Sequence, residues 1–224
     1  MRILAVGDVV DPVLYDDFDQ DRWLAAGIDL IISCGDLPPD YLTLLASRFD
    51  RPLFYVHGNH DGRYRYSPQP RCRSIDGRLV RWGGLRILGL GGAPEHNGGT
   101  EQYSERAMAM RLLLLKPSLW RLRGLDLVVT HAPPRFSFHG GGSQQPAAAG
   151  CAPRGLAAAP AHLPLAWSDP GHRGFAAFAG LLRAYQPRAL LHGHTHLSYG
   201  TAEREMVAGK TRIINVYGHY VLDL

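Results

Sequence analysis

The sequence predicts an α/β fold, and three observations carry that expectation. Apolar runs of strand length recur along the chain, helix-spaced segments separate the early runs, and the segment after the last helix turns mostly to strand. Ile3-Leu4-Ala5-Val6 opens the chain as a strand. Residues 16–26 have helical spacing, Gly27 closes them, and residues 28–33 follow as a strand. Pro38-Pro39 starts a second helix, because proline is tolerated in a first turn. Tyr41, Leu42, Leu44, Leu45 and Phe49 supply its buried face, and Pro52 returns the chain to the strand Leu53-Phe54-Tyr55-Val56. Residues 75–82 and 85–90, divided by Gly83-Gly84, read as a hairpin. A helix over 103–115 precedes the strand Leu127-Val128-Val129, and a further helix covers 174–185. Strands are expected at 188–191, 198–202, 211–216 and 220–224.

The chain of 224 residues fits one domain, 1–224, with 46% hydrophobic and 20% charged residues, which is a globular composition. No apolar run approaches the ~20 residues of a membrane span. The start at Met1-Arg2-Ile3-Leu4 lacks the zones of a signal peptide, so a cytoplasmic location is expected, with no membrane partner. Cys34, Cys72 and Cys151 are odd in number and unpaired in spacing, which argues against a disulfide framework. The net charge of +4 comes almost entirely from arginine. No segment interleaves aromatic and basic residues as a nucleic-acid channel would, so nucleic acid is not an expected partner.

The chemistry sits at the strand ends. Asp8, Gly35-Asp36, Gly58-Asn59-His60-Asp61, His131 and Gly193-His194-Thr195-His196 each follow an apolar run, and strand ends of an α/β sheet converge on one rim. Two carboxylates, one amide and three imidazoles meeting there make a mixed oxygen and nitrogen set suited to Zn²⁺, Mn²⁺ or Fe. In order and spacing these segments resemble the blocks of the calcineurin-like metallophosphoesterases: Asp-x-His, Gly-Asp, Gly-Asn-His-Asp/Glu, a single His and Gly-His-x-His.

The resemblance implies a four-layer α/β/β/α sandwich and a metal-dependent hydrolase of small phosphoesters, diesters somewhat before monoesters. It implies two divalent cations, Mn, Fe or Zn, bridged by Asp36. Asn59, His131 and His194 would complete one site, and Asp8 and His196 the other. A metal-bound hydroxide would attack phosphorus while His60 assists the leaving group and Asp61 orients the His60 ring. The chain departs from the pattern at Val10, which stands where the family has a histidine. That substitution weakens the expected Asp8 site unless Asp11, His57 or His172 fills the vacancy.

Residues 140–165 form a Gly/Ala/Pro-rich insertion, read as a mobile surface stretch, with a lid as the sharper alternative. His172-Arg173, just before a helix, are candidates for a phosphate contact, set against a plain capping turn. Arg63, Arg65 and Arg135 are weaker candidates of the same kind. The alternatives to a diesterase are a phosphomonoesterase on the same site and a non-catalytic scaffold like the retromer subunit of this fold. A scaffold requires a large exposed apolar patch.

Overall fold

The computed structural model describes residues 1–62, 71–136, 174–197 and 203–224. The chain alternates early, through β1 (Arg2–Gly7), α1 (Pro12–Tyr15), α2 (Gln20–Ala26), β2 (Leu30–Ser33), α3 (Pro39–Phe49), β3 (Leu53–Tyr55) and β4 (Cys72–Ser74). It continues with β5 (Arg78–Trp82), β6 (Leu85–Leu90), the short pair β7 (Ala93–Pro94) and β8 (Gln102–Tyr103), and the long α4 (Glu105–Leu122). Then come β9 (Leu127–Thr130), α5 (Ala176–Tyr185), β10 (Ala189–His192), β11 (Glu205–Ala208), β12 (Thr211–Asn215) and β13 (Gly218–Asp223).

One sheet has the order β13-β1-β2-β3-β4, parallel except for β13. The other has the order β11-β12-β10-β9-β6-β5, parallel from β12 to β6 and antiparallel at both edges. Strands buried on both faces split their side chains by the two-residue period. Ile3, Ala5, Leu30 and Ile32 meet Ile87, Leu127, Val129, Leu191 and Ile214 between the sheets. Leu4, Val6, Ile31 and Leu53 point the other way, onto Leu14, Trp23, Leu42 and Leu45 of the first three helices. Leu88, Val128, Leu190 and Ile213 meet Met108, Leu119, Phe178 and Leu182 of α4 and α5. Helices, sheet, sheet and helices thus stack in that order. Each fully buried Leu, Ile, Val, Phe or Met among them contributes about 1.5–3 kcal/mol.

Several boundaries differ from the sequence expectation for identifiable reasons. The helix expected over 16–26 begins only at Gln20, where Asp19 caps it, and a separate short helix, α1, precedes the expected segment with Asp11 as its cap. Asp11 Oδ1 accepts from Val13 N at 3.0 Å, and Asp19 Oδ1 accepts from Arg22 N at 3.0 Å. α4 runs beyond residue 115 and through Pro117, because its later turn buries Leu119 in the outer core. Proline there lacks one hydrogen bond, and it stands on the exposed side of the helix. β4 has no apolar run to announce it and forms by pairing with β3. The strand expected at 198–202, the insertion 140–165, His172, Arg173, Arg63 and Arg65 lie outside the described residues.

Candidate metal centre

The parallel strands β1, β2 and β3 of one sheet and β9 and β10 of the other deliver Asp8, Asp36, Asn59, His131 and His194 to one rim. Three of these residues hold left-handed backbone: Asp8 at φ 68°, Asp36 at φ 58° and His194 at φ 66°. A non-glycine residue there carries about 1–3 kcal/mol of strain, which persists only where the surroundings fix it. Here they do. Asp8 N donates to Gly35 O at 3.1 Å and Gly193 N to His131 O at 2.9 Å, so each loop is tied to the next.

One ligand atom from each of Asp8, Asp36 and His131 lies within 4.8 Å of the others. His131 is fully buried; its Nδ1 is 2.8 Å from Cys34 O, so Nδ1 carries the proton and Nε2 faces the cluster. Nε2 is 3.3 Å from Asp36 Oδ2 and 3.0 Å from Asn59 Oδ1. The His194 ring lies beside the His131 ring, with centroids 4.8 Å apart. His196 leans on Tyr217 at 4.9 Å, and its charge acts on the Asp8 carboxyl.

The carboxylates are fixed by main-chain donors: Asp8 Oδ1 accepts from His194 N at 2.8 Å, and Asp36 Oδ1 from His60 N at 2.8 Å. Asp8 Oδ2 is buried with no partner. A buried carboxylate oxygen without a donor is costly, and a cation is the partner that relieves it. Gly58 and Gly193 leave the room. A methyl at Gly58 would overlap Asp36 Oδ1 and lie 2.7 Å from Asp36 N, and one at Gly193 would lie 2.6 Å from Asp8 Oδ2. An orphaned oxygen, hard carboxylate and amide donors and imidazoles together fit a divalent cation of intermediate hardness.

The electrostatics agree with that demand. Burial pushes the Asp8 carboxyl up, and the His131 charge offsets only part of the rise. Burial would also raise Asp36, yet the His131 charge and hydrogen bond outweigh it and bring the group to about 2. His131 itself, lowered by burial but raised further by Asp36 and Asp8, reaches about 9. The two acids favour positive charge beside them.

Asp61 also braces the main chain. Its Oδ2 accepts from Asp36 N at 2.7 Å and from Gly58 N at 2.8 Å, so this oxygen secures the loop. Burial raises its pKa to about 6. His60 is exposed at the rim. Val10 packs against the apolar core under the first three helices. Asp11 commits one oxygen to the α1 cap and the other to His219 Nδ1 at 2.7 Å, and His57 faces Asp76 at 3.6 Å. Arg135 pairs with Glu105 at 3.0 Å, and the same carboxylate accepts from the first amides of α5.

Sequence reasoning missed the supports beneath the Asn59 loop. Asp76 Oδ1 accepts from Arg111 Nη2 at 2.7 Å and Gly91 N at 2.6 Å, while His57 O accepts from Gly92 N at 2.7 Å. The signal lay in Gly91-Gly92 after β6, since a methyl at Gly91 would lie 2.7 Å from His57 N. Asn215, at the end of β12, similarly holds the His194 loop through Thr195 O at 2.6 Å.

The sequence profile of the calcineurin-like phosphoesterases matches residues 1–198. Among solved structures, TT1561 of Thermus thermophilus is similar with a TM-score of 0.60 at 17% identity, over 97% of this chain and 89% of that one. A putative 5'-nucleotidase from Staphylococcus aureus, solved with alpha-ketoglutarate, gives 0.55 at 14% identity, over 99% of this chain and 50% of that one. At these identities the likeness is one of fold. No curated protein matches the chain.

Proposed function

The chain belongs to the calcineurin-like phosphoesterase family, which acts by metal-dependent hydrolysis of phosphoesters, and from that premise we propose that it hydrolyses small phosphodiesters. The observation that carries the reading is the convergence of Asp8, Asp36 and His131 around a buried, unpartnered carboxylate oxygen. Asp36, Asn59, His131 and His194 would hold one divalent cation, and Asp36, Asp8 and His196 a second, with Mn, Fe or Zn as the candidates. When bound, such ions supply Lewis acidity toward a phosphoryl oxygen and toward water. Val10 leaves the Asp8 side a ligand short, so the second ion binds more weakly.

The chain's own residues do the rest. The Cys34 carbonyl fixes the tautomer of His131, and Asp61 locks the loop that carries Asn59 and His60. In the net reaction the water oxygen bonds to phosphorus and gives up a proton to solvent, the ester P–O bond breaks, and the departing oxygen takes a proton from His60, which solvent then restores. A diester's alkoxide leaving group benefits from that proton, and a monoester can use the same device, so the preference for diesters over monoesters is a soft one. His172 and Arg173 remain candidates for a phosphate contact at the same site.

One observation favours the scaffold alternative: apolar side chains are exposed along α4. It does not displace the hydrolase reading, because a scaffold has no need of the buried acid pair. No helix among the described residues is long and apolar enough to cross a membrane.

The test is Mn²⁺-dependent release of nitrophenol from bis(p-nitrophenyl) phosphate, beside p-nitrophenyl phosphate and a nucleoside 5'-monophosphate. Turnover of the diester, abolished by Asp36→Asn, supports the proposal. A preference for the monoesters moves the function to a phosphomonoesterase, and no turnover with any divalent ion overturns it.

A further inference from the structure

The outer surface of α4 exposes Met110, Leu113, Leu114 and Trp120, the last two 73% and 83% accessible. The helix turns its other side to the core, through Met108 and Leu119, with Leu112 and Leu115 beside them. Between α4 and α5 runs an open groove of about 510 Å³, walled by Ala109, Leu112, Leu113, Lys116, Leu181 and Ala184. Arg106 and Lys116 edge this groove, and Arg121 and Arg123 stand with Trp120 around an adjoining hollow at the end of the helix. Among the described residues none of these four cations has a carboxylate partner. The acid of α4, Glu105, is committed to Arg135 and to the first amides of α5. The face is therefore apolar along its length, positive at its margins and without negative charge of its own.

We propose that this face docks an amphipathic helix of a partner protein whose apolar stripe is flanked by Asp and Glu. The floor favours a helix, because Ala109, Gly180 and Ala184 are small enough to let a third backbone approach in the manner of helix packing. Charge complementarity sets the sign of the partner, since carboxylates placed over Arg106, Lys116 and Arg121 meet cations that have no carboxylate partner among the described residues. A second copy of this chain is disfavoured by the same charges, because a two-fold interface sets each cation against its own kind. A bilayer is disfavoured by shape, since the apolar side chains wall a groove rather than a flat or convex face. The inference does not depend on the hydrolase reading, as no residue of this face belongs to the metal rim.

The test pans a displayed library of helical peptides against the full chain and against the double variant Leu113→Glu, Lys116→Glu. Both substitutions are on exposed positions, and an unchanged melting temperature checks that the variant is folded. The best peptide is then synthesised and its affinity measured by fluorescence anisotropy at low and high salt. The expected result is a set of net-acidic sequences with apolar residues at i, i+3, i+4 and i+7. Their binding should weaken about tenfold or more in the variant and fall with salt. Selected peptides that are neutral or basic, or that bind both proteins equally, overturn the proposal. Two further outcomes also overturn it: loading onto phosphatidylserine vesicles that the variant loses, and a dimer in sedimentation that the variant abolishes.

Discussion

Gly58→Ala probes the centre most sharply, because the new methyl has nowhere to go. It would overlap Asp36 Oδ1 and stand 2.7 Å from Asp36 N, so turning the carboxylate relieves only half of the conflict and the backbone must move as well. Moving it breaks the bond from His60 N to Asp36 Oδ1, a charge-assisted contact of 2.8 Å, whose loss costs about 1.5–3 kcal/mol. Overpacking adds roughly 1–3 kcal/mol. The sum, about 2.5–6 kcal/mol, corresponds to a fall in melting temperature of roughly 5–24 °C for a chain of this size. Scanning calorimetry measures the fall, and Mn²⁺ titration should show weakened binding in the same variant. Gly62→Ala is the control, since its methyl would meet nothing nearer than Thr100 Oγ1 at 3.7 Å. A Gly58→Ala protein that melts and binds metal like the wild type would refute the packing argument.

Three other outcomes are expected. His60→Ala should slow diesters with alkyl leaving groups by roughly 10²–10⁴ and nitrophenyl esters far less, which a leaving-group series would reveal; an equal loss across the series counts against proton donation. Asp61→Leu strands the amides of Asp36 and Gly58 and should cost about 2–4 kcal/mol in urea denaturation, whereas Asp61→Asn keeps an acceptor and should cost much less. Asp126 is held below its ordinary range by the forked bond from Arg86, at 2.7 and 2.8 Å. Its folded pKa lies below the unfolded value near 3.8, so its stabilisation is complete above that value and disappears as pH falls through the folded one. Asp126→Asn should remove about 1–3 kcal/mol at neutral pH and flatten the acid limb of the stability curve, read by denaturant midpoints from about pH 7 to about pH 3.

The ligand-bearing loops are legible in the sequence because parallel strands buried on both faces must be apolar, so a polar residue at the end of such a run stands out. Asp8, Asp36 and His131 announce themselves that way. The left-handed turns that aim Asp8, Asp36 and His194 are not legible, because Asp and His carry no obligatory glycine-like signature for that backbone. The bracing by Asp61 is not legible either, because its Oδ2 turns back to the amides of Asp36 and Gly58, the first of them 25 residues away in the chain. The Asp76–Arg111 support is invisible for a related reason: its members come from separate parts of the chain and meet only once the fold brings them together. α4 outruns the end expected at residue 115, because burial of Leu119 outweighs the single hydrogen bond that Pro117 lacks. Val10 is legible as a departure, and its consequence is a local one, a side chain that joins the apolar core under the helices rather than the rim.

The central proposal is that Asp36 gathers cations at the rim, and calorimetric titration of the metal-stripped chain with Mn²⁺ tests it most directly. Two binding events of unequal affinity are expected in the wild type, with the loss of both, or their collapse to one weak event, in Asp36→Asn. A wild-type chain that takes up no Mn²⁺, Fe²⁺ or Zn²⁺, or an Asp36→Asn chain that titrates like the wild type, would contradict it.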